Sequence, residues 1–232
     1  NRDSKRLDFE TEVDWQEKHK MLRVSFPINV QTELSTSDIQ YGYVKRATHT
    51  NTSWDKARFE VVAQRYVDLS DNDYGVALLN DCKYGHRLQG SALDLNLLRS
   101  PNNPDPDADI GQHSFKYSLY PHSGDLLHSD VISQAEQFNQ RVEMFTGFKA
   151  ETQSGISVDG SGISVEAVKK AEKEDCIILR VIETDGRNSN GKLTVDGKLV
   201  ETDMMEWEDG SEHSGDLQMT PFEIRTFKWY RG

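Results

Sequence analysis

The sequence predicts an all-β protein of two parts, and three observations predict it. Apolar residues recur at every second position in stretch after stretch, the alternation that turns one face of a strand to a core and the other to water. Helical spacing occurs once, in a single short segment near 130–142. A Ser/Gly-rich stretch then separates a first part, 1–150, from a second, 151–232.

The elements follow in chain order. Leu7, Phe9, Val13 and Trp15 alternate, as do Leu22, Val24, Phe26 and Ile28. Ile39, Tyr41 and Tyr43 predict a third strand, and Phe59, Val61 and Ala63 a fourth. GVALLN at 75–80 is apolar without alternation, as expected of a central strand buried on both faces. Ser91, Leu93, Leu95 and Leu97, then His113, Phe115, Tyr117 and Leu119, complete the first part. Val131, Ala135, Phe138 and Val142 lie at helical spacing. In TQSGISVDGSGISV at 152–165 two like arms flank turn residues and predict a hairpin. CIILRVI, GKLTVDGKLVETDM with a second hairpin turn at its DG, and PFEIRTFKW then predict a small sandwich.

The formal net charge of −12 argues against nucleic acid, which is bound by neutralising phosphate, and against anionic membrane surfaces. A neutral, polyhydroxylated partner such as a sugar is not disfavoured. Cys82 and Cys176 stand far apart in no metal-ligand spacing, which predicts two reduced thiols and a cytoplasmic protein. The chain has neither a bilayer-length apolar run nor a basic-then-apolar start. Alternation begins abruptly at Leu7, from which a piece of a longer protein is expected.

Three polar stretches interrupt the strands. SPNNPDPDADIGQ at 100–112 carries three prolines, which fix φ, and aspartates that end in Asp109 before Gln112. It reads as a solvated connector or as a stiff wall whose side chains bind sugar hydroxyls. As a calcium loop it lacks the glycine and terminal glutamate that an EF-hand requires. In ATHTNTSWDKARFE at 47–60, Trp54 could stack on a pyranose while Asp55 and Arg58 bind hydroxyls. Alternatively Trp54 plugs the core and Arg58 pairs with Asp55. NDCKYG ends a buried strand and brings Asn80, Asp81, Lys83 and Tyr84 together, as binding groups or as a hydrogen-bonded turn. The histidines form no HxxxH or HExxH cluster, and His122 is expected to cap a strand end. Nothing singles out a catalytic carboxylate pair among 39 acidic residues.

The same stretches carry a resemblance. YGYVKRATHTNTSWDKARFE at 41–60, YGVALLNDCKYG at 74–85 and LNLLRSPNNPDPDADIGQHSFKYSLYPHSG at 95–124 resemble the carboxy-terminal β region of glycoside hydrolase family 38. The likeness is to its cytosolic-type α-mannosidases, and it extends from FETEVDWQEKHKMLRVSFPI to TPFEIRTFKW. The resemblance implies a retaining exo-α-mannosidase whose zinc and nucleophilic aspartate belong to an amino-terminal catalytic domain. That pattern is absent here, so no residue of this chain is assigned as catalytic and no cofactor is assigned to it. It also implies that 1–150 hold the later strands of a large mutarotase-like β-sandwich and 151–232 a small carboxy-terminal β-sandwich. The implied partners are that catalytic domain and a mannose-containing oligosaccharide, with a homo-oligomer left open. A free-standing, lectin-like carbohydrate-binding module is the alternative. On the first reading the three polar stretches converge at one edge, Asp109 stands in solvent, and an apolar face awaits the rest of the protein.

Overall fold

A computed structural model describes residues 4–140, 144, 146–147 and 155–232. Two compact units divide at Glu143 and Met144, where the sequence suggested 150. Residues 148–154, which include the start of the Ser/Gly-rich stretch, lie outside the described residues.

The first unit runs β1 (Leu7–Trp15), β2 (Leu22–Pro27), β3 (Leu34–Ile39), β4 (Gly42–Ala47), α1 (Ser53–Ala57), β5 (Val61–Val62), β6 (Tyr66–Ser70) and β7 (Tyr74–Asn80). It continues with β8 (Gly85–Gln89), β9 (Ala92–Leu98), β10 (Gly111–Ser123) and α2 (Val131–Asn139). A six-stranded sheet, β1-β10-β7-β6-β3-β4, faces a four-stranded one, β2-β9-β8-β5, and their ladders are antiparallel. Alternation places Val67, Leu69, Val76, Leu78 and Phe115 opposite Leu88, Leu93, Leu95 and Leu97 in the core between them. Phe9 of β1 closes one side, stacked on Tyr117 with ring centroids 4.9 Å apart.

The continuous apolar run behaves as its composition predicts. From Gly75 to Asn80 every residue of β7 is buried. Val76 and Leu78 face the inter-sheet core, while Ala77 and Leu79 pack with Tyr66, Tyr120, Val131 and Ala135. Helix α2 is thus the second cover of the large sheet. The expected helix reached 142, and residues 141–143 lie outside those described.

Four expectations need correction. Ile39, Tyr41 and Tyr43 are not one strand: Tyr41 has φ +56° in the turn of the β3–β4 hairpin. Phe59 is 74% exposed, and β5 contains only Val61 and Val62. A second helix, α1, forms because Thr52 and Asp55 cap it reciprocally, side chain to backbone in both directions. His122 does not cap a strand end: its buried Nε2 meets Asp68 Oδ1 at 2.8 Å, and Gly75 leaves room for the ring.

The second unit comprises β11 (Ile156–Asp159), β12 (Ile163–Lys170), β13 (Ile177–Glu183), β14 (Ser189–Val195), β15 (Gly197–Thr202), β16 (Asp209–Glu212), β17 (Asp216–Met219) and β18 (Ile224–Arg231). Sheets β12-β13-β18-β15-β16 and β11-β14-β17 enclose Leu179, Val181, Leu193, Leu199, Leu217, Phe227 and Trp229. The protein is all-β, as the patterning requires. The two DG turns, however, make no hairpins. Strand β11 pairs with β14 and β12 with β13, so the chain changes sheets at Gly160; it does so again at Gly197, between β14 and β15. The glycine of an Asp-Gly type I′ hairpin turn has φ of about +90°, whereas these glycines have φ +138° and +126°. The buried Glu183 carboxylate accepts backbone N–H bonds from Asp185, Gly186 and Phe222 and so ties the turn at 184–187 to the turn at 220–223.

A Cβ on residue 197 would stand 2.2 Å from the Tyr230 carbonyl oxygen. Gly197→Ala is therefore expected to destabilise the second unit by more than about 2 kcal/mol, strain and clash together. Urea unfolding of the variant checks this.

Candidate functional site

Antiparallel register gathers polar loops at one end of the first unit. Trp15 opposes Gly111, Leu22 opposes Leu98 and Tyr117 opposes Asn80, so β1, β7 and β9 end where β2, β8 and β10 begin. The segments 16–21, 81–84 and 99–110 meet there. The last of these is held by polar clamps in place of a core. The Asp109 carboxylate accepts the backbone N–H groups of Arg99 and Ser100 at 2.8 and 2.9 Å. These bonds, helped by the charges of His113 and Lys83, hold its carboxyl below the usual aspartate range. Asp109 and Ser100 both adopt positive φ, +63° and +46°, which closes the loop on itself. His113 Nε2–H donates to the Asp109 carbonyl at 2.9 Å, and the Trp15 indole donates to the Ser100 hydroxyl. From the neighbouring segment, Lys18 pairs with Asp107 at 2.8 Å and His19 Nδ1 accepts from the Asn102 amide at 2.9 Å.

Segment 80–84 divides into structural and outward groups. Asn80 is buried, its amide donating to the Gln64 carbonyl and accepting from Lys83 N, both at 2.7 Å. Asp81 accepts the Lys116 N–H at 3.2 Å. Asn80 is thus the hydrogen-bonded turn, while the exposed Asp81 fastens the segment to β10. Lys83 lies over the Phe115 ring, 4.6 Å from its centroid, with its ammonium close enough to act on Asp109. Tyr84 is 54% exposed. Burial and the neighbouring Asp81 push the Cys82 thiol up to about 11, so it is no thiolate nucleophile at neutral pH. On the outer face of the large sheet, Gln112, Glu12 and Asp14 line a groove along β1 and β10. An ammonium, a phenol, an amide and carboxylates on a stiff frame are groups that bind sugar hydroxyls. Among the described residues, no group of three or more His, Cys, Asp or Glu side chains could hold a metal ion.

The third stretch does not join them. Pairing of Val61 with His86 and Val62 with Gly85 runs β5 backwards along β8. Arg58 and Phe59 therefore lie toward Leu88 and Gln89, at the far end of the β8–β9 hairpin. The convergence expected of three stretches holds for two. Trp54 is 82% exposed, so it plugs no core. Asp55 is taken by Thr52 and lies 3.6 Å from His49, which leaves Arg58 acting on it only at longer range.

The family described as "Glycosyl hydrolases family 38 C-terminal domain" matches residues 1–107, and "Glycosyl hydrolases family 38 C-terminal beta sandwich domain" matches 162–227. The chain belongs to the carboxy-terminal region of glycoside hydrolase family 38. It is 39% identical to "Alpha-mannosidase G" of Dictyostelium discoideum over 97% of this chain and 22% of that protein. It is 41% identical to "Alpha-mannosidase 2C1" of Homo sapiens, over 93% of this chain and 22% of that one. "Alpha-mannosidase" of Saccharomyces cerevisiae is 34% identical over 97% of this chain and 24% of its own length. The chain thus spans less than a quarter of the length of these relatives. In fold it is similar to a family 38 protein from Enterococcus faecalis, with TM-score 0.81 at 22% identity over 98% of this chain and 28% of that one.

The family 38 match at 1–107 includes α1, NDCKYG and most of the acidic loop, but ends before Asp109 and Gln112. Sequence reasoning missed Glu12 and Asp14, whose only signal was their outward position in an alternating strand. It also missed the service of Trp15, Lys18 and His19 to the loop, because those contacts cross more than eighty residues of chain.

Asp109, expected in solvent, is half-buried and structural. Asp109→Ala is expected to cost about 1–3 kcal/mol by leaving two backbone donors without their acceptor. Because its folded pKa is lowered, its contribution is present above the unfolded aspartate value and lost as pH falls through the folded one. The difference in melting temperature between wild type and variant should therefore shrink below about pH 3.9, which a pH series of thermal melts checks. In the 232-residue chain Trp54→Ala should leave the melting temperature unchanged, since the side chain is 82% exposed.

Proposed function

We propose that this chain is the non-catalytic carboxy-terminal part of a retaining, zinc-dependent exo-α-mannosidase that removes terminal α-mannose from oligosaccharides. The observation that carries the reading is likeness to three proteins named α-mannosidases across nearly the whole chain, in one order. Zinc and the nucleophile belong to the amino-terminal catalytic domain, where the metal supplies electrostatic stabilisation of substrate oxygens. This chain's part is positional. The 99–110 loop, clamped through Asp109, forms a stiff wall at the rim of the active site. Lys83, Tyr84 and Gln112 meet substrate hydroxyls there, losing little freedom on binding because their frame is already fixed. The exposed Trp54, Phe59 and Val62 beside the short edge strand β5 give the catalytic domain an apolar face to cover. Two free thiols, Cys82 and Cys176, suit a cytoplasmic protein.

In the full-length protein, Lys83→Met and Tyr84→Phe are expected to lower kcat/KM for an aryl α-mannoside about tenfold each, the loss of one hydrogen bond. Melting temperatures should stay within a degree or two of wild type. Full activity in both variants would remove the rim role. The 232-residue chain alone should hydrolyse no mannoside. The exposure of Trp54 at 82% also favours a lectin-like module; calorimetric binding of mannose oligosaccharides to the isolated chain, abolished by Trp54→Ala, would establish that reading instead.

A further inference from the structure

Away from the rim, the flanks of α1 roof a small crevice over the β3–β4 hairpin and the edge of β8. Its walls include Arg46, His49, Asp55, Arg58, Glu60 and His86. We infer that this crevice binds one monatomic anion of chloride size, held between the Arg46 guanidinium and the His86 ring.

Two donors inside it are orphaned. Arg46 Nη1 is buried without a hydrogen-bond partner, and so are both ring nitrogens of His86, whose side chain is fully buried. A buried polar group left without a partner costs about 1–3 kcal/mol, so a native protein ordinarily supplies one. Carbonyls of Asp94 and Lys83 favour the charged imidazole but do not reach hydrogen-bond geometry, and burial outweighs them, taking the ring down to about 4. The ring is therefore neutral near pH 7 and has one N–H to give. The Ser35 hydroxyl donates to the Arg46 carbonyl at 3.1 Å and makes no hydrogen bond to either orphaned group.

The carboxylates in the walls are committed elsewhere. Asp55 accepts from the Thr52 amide and hydroxyl, and Glu60 is held by Arg23 and by Asn96 at 2.8 Å. Arg46 and Arg58 consequently repel one another: burial first, then the Arg58 charge, lowers the Arg46 pKa. The free space is about 20 Å³, enough for one water or one monatomic ion and too little for phosphate or acetate. A water could accept from both donors but would leave the positive charge uncompensated. An anion does both, and it ties Arg58, in the polar segment that follows α1, to strand β4.

The test uses crystals and melts of the full-length protein. Crystals soaked in bromide should show an anomalous peak between Arg46 and His86. At constant ionic strength, chloride should raise the melting temperature by about 2–4 °C over isethionate, which is too large to enter. The rise should vanish in Arg46→Met. Should that variant fail to fold, Arg58→Gln, whose side chain is exposed, should reduce both the rise and the bromide occupancy. A peak at the site without anomalous signal identifies a water and overturns the proposal. So does a wild-type protein that melts at one temperature in both salts.

Discussion

Strand β7 is covered on both faces, and the first unit is arranged around that constraint. With the inter-sheet core on one side and α2 on the other, every position from Gly75 to Asn80 must do without water. Backbone groups are satisfied by the β6 and β10 ladders, and side chains must be apolar or fully bonded. Asn80 meets the second condition by spending its amide on Gln64 and Lys83. Gly75 meets it by having no side chain, which lets His122 reach Asp68 across the sheet. Polar groups with freedom to act are thereby driven to the strand ends, where β7 hands over to segment 81–84 beside the acidic loop.

That loop shows how a segment without an apolar core becomes rigid. Three prolines and the Asp109 clamp restrict it from within, and Trp15, Lys18 and His19 fasten it from outside. Its acidity is partly a fastening device: one carboxylate takes two backbone donors and another takes a lysine. The α1 segment is built the opposite way, with a local capping box, no buried residue and a roofed crevice beneath. The first design suits a wall and the second suits a clasp. Their separation along the β8–β9 hairpin follows from register alone.

The legible parts of the sequence were those where one physical requirement acts on many residues. Alternation from Leu93 to Leu97 and from Phe115 to Leu119 located β9 and β10, and the unbroken GVALLN located β7. The helix was legible because Val131 and Ala135 share its covered face. Turn chemistry was less informative: DG marks a reversal, but whether the strands pair afterwards depends on the backbone at Gly160 and Gly197, where Gly191 and Tyr230, distant in sequence, leave no room for a Cβ. Among candidate site residues, Lys83 and Tyr84 drew notice because strand ends gather such groups, and the structure leaves Tyr84 and Gln112 exposed. Asp109 was found for the wrong reason, since an aspartate that clamps a backbone and one that faces solvent look alike in one dimension.

The sheet-switching connections of the second unit bear on how it must assemble. Strand β11 waits for β14, β14 for β17, and β13 for β18, each partner arriving many residues later. Only β12–β13 and β15–β16 join neighbours in the chain. A domain so dominated by distant pairings has high contact order, and such domains fold on the order of milliseconds to seconds where helical bundles need microseconds. During that interval Ile177–Glu183, apolar and rich in β-branched residues, has unpaired edges. The unit's folding is thus exposed to chain concentration, which gives crowded synthesis a hold on it that the finished sandwich does not reveal.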